Sequence, residues 1–216
     1  MRPLVWRGCA VAAALWPVVA EAHSPIKGLG TFYNYMLHPL LVPAHALILI
    51  AVALLLGQQE RGTAGRGLAI FALGFATGLV MSGIGFVAGM SEPLLLAGCV
   101  VIGSAVGIGR HPPILGLFAL AGGAGILIGL DSAPETTVMQ DAVLAYSGLT
   151  TGVLYSAAVV SGLTIGLMRN WQRVGIRIVG SWIVAASVLV LALTLTNHVK
   201  GRTPVSDLAP GKVRSC

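Results

Sequence analysis

Leu37-His38-Pro39-Leu40-Leu41-Val42-Pro43-Ala44-His45 opens the first long apolar run beyond the N-terminal leader, and its reading decides the fold and the candidate chemistry together. The first of its two histidines falls at the outer end of an expected membrane helix and the second near the middle. An ionisable side chain at that depth is a functional candidate by default, because lipid offers it no water. On one continuous helix the spacing covers about 10 Å of depth and close to two full turns, which puts both rings on one face. Pro39 suits a first helical turn, whereas Pro43 removes an interior hydrogen bond and bends the helix near His45. A carbonyl freed by such a bend survives at membrane depth only inside protein or beside a wet cavity.

The rest of the chain places this stretch in a membrane. Only 9% of the 216 residues are charged, 56% are hydrophobic and the mean hydropathy is +0.90, too little polar surface for a water-soluble globule. Apolar spans of about 20 residues each fall near residues 38–57, 68–89, 93–109, 113–130, 142–168 and 176–197. The expected fold is all-α, a polytopic membrane helix bundle of six transmembrane helices making one domain over residues 23–198. The third and fourth spans are short and read as tilted or partly re-entrant. Residues 1–22 place Arg2 and Arg7 ahead of an apolar segment and end in Ala20-Glu21-Ala22, the pattern of a cleaved secretory signal peptide. Residues 24–37, with Phe32, Tyr33 and Tyr35, read as an interfacial lead-in, and residues 199–216 as a polar tail.

Orientation follows from the Lys/Arg bias. With the mature N-terminus in the periplasm, the cytoplasmic loops hold Arg61, Arg66, Arg110, Arg169 and Arg173, with Arg177 just inside the last span. The outer loops between spans carry no Lys or Arg, and hold Glu92, Asp131, Glu135 and Asp141 instead. The expected location is therefore a bacterial inner membrane. Glu92, Asp131 and Glu135 are expected to draw cations toward the outer face, although any one of them also reads as an ordinary solvated carboxylate. The formal charge of +6 is scattered singly over loops and tail, which argues against nucleic-acid binding.

Glycine makes up 29 of the residues, nearly twice its usual share. It recurs at four-residue spacing as Gly74/Gly78, Gly85/Gly89, Gly103/Gly107, Gly125/Gly129, Gly148/Gly152 and Gly162/Gly166. Such faces let helix backbones approach closely in lipid, where no hydrophobic effect drives association.

Among the spans, His45 is the one imidazole expected at membrane depth, and Asp, Glu, Lys and Arg are absent from the span cores. Burying it unpaired costs several kcal/mol, so a partner is expected; Ser82, Ser104, Thr150, Thr151, Tyr155, Ser156 and Ser161 are candidates. Neutral imidazole suits nickel, cobalt, copper and zinc, so His38 and His45 are read as metal ligands that pass an ion inward. Cleavage after Ala22 would make His23 the new N-terminus, whose α-amine and ring together can chelate a divalent ion. Sulfur at Met36, Met81, Met90 and Cys99 matters only if the ion is copper. Cys9, Cys99 and Cys216 form no disulfide framework and no CxxC pair. No carboxylate pair, Ser/His/Asp set or phosphate-binding loop points to an enzyme.

The leader, the histidine after it, HPLLVPAH at the head of the first span and five further spans together resemble the HupE/UreJ family of membrane proteins. That resemblance implies uptake of nickel, and in part cobalt, for metalloenzyme maturation. His38, Pro39 and His45 match the family's first motif in type and spacing, while its aspartate position is Ala44 here. Glu92-Pro93 is also similar to the family. The second, histidine-rich motif has no counterpart, since that region reads Phe118-Ala119-Leu120-Ala121-Gly122-Gly123-Ala124-Gly125.

The leading expectation is a permease for transported Ni2+ or Co2+, with copper as the outlier and no permanently bound cofactor. Membrane lipid and the ion are the expected partners, with a second copy of the chain or a cytoplasmic metallochaperone left open. The rivals are a non-transporting accessory for metalloenzyme maturation and a haem- or quinone-binding carrier. The last is disfavoured because bis-histidine ligation needs two facing helices, and both histidines are expected on one.

Overall fold

The computed structural model describes residues 28–84, 91–109, 112–134, 139–167 and 169–201. His23, Glu135, the Gly85/Gly89 pair and the leader lie outside the described residues. Seven helices follow in order: α1 (Thr31–Leu41), α2 (Pro43–Gly57), α3 (Arg61–Gly83), α4 (Ser91–Ile108), α5 (Ile114–Asp131), α6 (Met139–Ile165) and α7 (Asn170–Gly201), with no strand among the described residues.

The protein is an all-α polytopic bundle, and its first span departs from the expected single helix. α1 and α2 meet at Val42 with a bend of 73°. Pro43 is the cause: its ring excludes the helical region for the residue before it, and Val42 sits at φ −85°, ψ 114°. Val42 still donates to His38 O and accepts from Ala46 N, so the break leaves its own peptide groups bonded. Pro39 is not in a first turn, because α1 begins at Thr31 and takes in residues assigned from sequence to the interface. Pro43 is the first residue of α2, where its missing N–H costs nothing.

Of the six expected crossings, α3, α5, α6 and α7 are long and apolar enough by themselves, and α1 with α2 qualifies as a broken fifth. α4 is a shorter apolar helix over Glu92–Ile108. Several helix ends lie outside the apolar windows, as at Arg61 of α3 and Asn170 of α7. Polar residues at a helix end keep their backbone hydrogen bonds although hydropathy drops.

α2 is apolar all round and stands at the centre, with Ile48, Leu49, Ala51, Val52, Leu55 and Leu56 fully buried. The other helices close around it, paired through glycine faces. A Cβ at Gly74 or Gly78 would overlap the carbonyl oxygen of Gly122 or Ile126, and one at Gly125 or Gly129 that of Phe71 or Phe75, so α3 and α5 run side by side at backbone contact. Gly148 and Gly152 of α6 meet the carbonyls of Phe32 and Met36 in α1 in the same way. Gly103 and Gly107 of α4 face α7, where a Cβ added to Gly180 would come within 2.8 Å of Gly107 N. The spacing misleads at Gly162, which has nothing within 4 Å, and at Gly166, which meets only Leu163 O of its own chain segment.

These contacts sort the helix ends. His45 at the start of α2 lies against Asp131 at the end of α5, and Thr31 of α1 reaches Asp141 of α6 at 3.5 Å. At the opposite end Arg177 of α7 donates to Gly107 O and Ile108 O, each at 3.1 Å, and so caps α4. A guanidinium there meets the orphan carbonyls and the negative end of the helix dipole together.

Candidate functional site

The break at Val42 builds the site. Seven residues of unbroken helix would hold the two rings about 10 Å apart, but the bend folds α1 back and brings the ring centroids of His38 and His45 to 5.5 Å, at 61° to each other. The expected shared face of one helix is thus replaced by two helices facing across a corner. Tyr35, one turn before His38, adds its ring at 6.2 Å.

His45 is 1% exposed. Its partner is none of the hydroxyls expected. His45 Nε2 and Asp131 Oδ2 are hydrogen-bonded at 2.8 Å across 86 residues of sequence. Asp131 was assigned from sequence to an outer loop; it is the last residue of α5, and its side chain is only 20% exposed. At the end of α5 the dipole is unfavourable to a carboxylate, whereas the start of α2 offers it positive potential and a donor. The second ring nitrogen, His45 Nδ1, is buried without a hydrogen-bond partner. Ser132 Oγ, directly after Asp131, is buried and unpartnered as well. Cys99 Sγ lies 3.8 Å from Ala44 O and ties α4 to α2 one residue from His45.

No group of three or more His, Cys, Asp or Glu among the described residues is arranged to hold a metal. Two imidazoles alone make a weak site. Glu92 is exposed in the first turn of α4. Sequence reasoning missed the role of Asp131 because apolar run lengths marked it as loop. Its one legible trace was that a buried histidine needs a partner while the span interiors held no carboxylate.

Fold and site together define a polytopic helical membrane protein with a buried histidine–carboxylate pair and a second histidine beside it. The chain belongs to the HupE/UreJ family: the family model described as HupE / UreJ protein matches residues 11–205. No curated protein and no solved structure matches it. Family membership supports a metal-related role in the membrane.

Proposed function

We propose that the protein is a permease, without enzymatic activity, that carries a divalent transition-metal ion, nickel or cobalt, across the bacterial inner membrane from the periplasmic side. His38, half-buried in α1, takes the ion first, and His45 receives it at depth. The observation that carries this reading is the buried, unpartnered Nδ1 of His45 in a ring only 5.5 Å from that of His38. A buried lone pair left without a partner costs about 1–3 kcal/mol, and a passing cation gives it a use. Two imidazole ligands hold an ion weakly enough to release it, as conduction requires. The carboxylate of Asp131 beside the pair favours a cation arriving there.

The test is uptake of radiolabelled nickel and cobalt by cells producing the wild type, His38→Ala or His45→Ala, with membrane insertion checked for each. Uptake should fall to background in both variants. Equal uptake by all three removes both ligands from the mechanism, and no uptake by the wild type favours an accessory role.

A further inference from the structure

We infer that Asp131 is a positioning residue that fixes the tautomer of His45 and thereby selects Nδ1 as the nitrogen offered to the ion. The proposal rests on the reading of His45 as a ligand. A neutral imidazole carries one hydrogen and one lone pair, on different nitrogens. An ionised carboxylate only accepts, so the 2.8 Å contact with Asp131 Oδ2 keeps the hydrogen on Nε2. Nδ1 is then left as the lone pair, and it is the atom buried without a partner. His45 shows the arrangement in which a metal-binding histidine donates its other N–H to a carboxylate, which orients the ring and raises the basicity of the ligating nitrogen.

The arrangement is local in space and remote in sequence. The carboxylate comes from the last residue of α5 and the imidazole from the third residue of α2. Asp131 also places a carboxylate beside the two rings, which draws a divalent ion toward His45 without ligating it. An amide at position 131 would undo both effects. Asn carries no charge, and its NH2 can donate to Nε2, which moves the hydrogen to Nδ1 and closes the lone pair.

The experiment uses the full chain, purified into lipid nanodiscs, in wild-type, Asp131→Asn, Asp131→Glu and His45→Ala forms. Nitrogen NMR of 15N-histidine-labelled protein without metal, with the His45 resonances assigned by their loss in His45→Ala, should show hydrogen on Nε2 in the wild type. That hydrogen should move to Nδ1 in Asp131→Asn, and Asp131→Glu should keep the wild-type pattern. Titration with Ni2+ alone should give a Kd about 10–100-fold weaker in Asp131→Asn, with most of the affinity recovered in Asp131→Glu. A wild-type His45 carrying hydrogen on Nδ1, or Asp131→Asn with wild-type tautomer and affinity, overturns the proposal. If the tautomer moves as stated but His45→Ala binds Ni2+ as well as the wild type, the carboxylate positions the ring and it is the ligand reading that fails.

Discussion

Adding one methyl group at Gly125 should loosen both the bundle and the metal site, and the structure sets the size of each effect. A Cβ there would overlap Phe71 O and lie 2.7 Å from Phe75 N, where ordinary contact begins at 3.4 Å. Both neighbours are backbone, so no side chain can swing away and α5 has to retreat from α3 by about 1 Å, a gap that forfeits up to about half of each lost contact. Overpacking of this kind costs about 1–3 kcal/mol. Gly125 lies six residues, less than two turns, before Asp131 on the same helix. Passed along α5, the shift would displace Asp131 from its 2.8 Å contact with His45. Gly162→Ala is the matched control, because Gly162 has the same four-residue spacing but nothing within 4 Å. There the substitution should be neutral or stabilising by up to about 1 kcal/mol, since alanine loses less backbone freedom in a helix. Unfolding in mixed detergent micelles followed by circular dichroism gives the stabilities, and nickel uptake gives the function. Equal stability of Gly125→Ala and Gly162→Ala would refute the close-packing argument.

Pro43→Ala removes the ring that drives Val42 out of the helical region, so α1 and α2 should straighten and the two histidine rings should separate toward about 10 Å. Weaker Ni2+ binding and a longer spin-label distance between α1 and the end of α2 are the expected readouts, and unchanged values would show that packing alone holds the 73° bend. Arg177→Gln loses the charge that bonds Gly107 O and Ile108 O, and should lower stability by about 1 kcal/mol in a thermal melt. Arg177→Lys should recover only part of that loss, because an ammonium cannot reproduce the planar fork; full recovery would mean that charge alone caps α4.

An all-helical membrane bundle is legible in the residues alone, because apolar run length and near absence of charge are local properties that lipid selects directly. The residues also mark His38 and His45, since an imidazole in an apolar run stands out without any fold. Tertiary structure decided the rest. The glycine pairs all look alike along the chain, yet Gly125/Gly129 meet a neighbouring backbone and Gly162 meets nothing, because that depends on which face of each helix turns toward another. Pro43 announced a bend, but its 73° size, and with it the 5.5 Å approach of the rings, depends on how α1 packs against α6. Asp131 read as a loop acid because hydropathy averages neighbours in sequence, whereas its bond to His45 joins residues 86 positions apart that only the stacking of α5 beside α2 brings together.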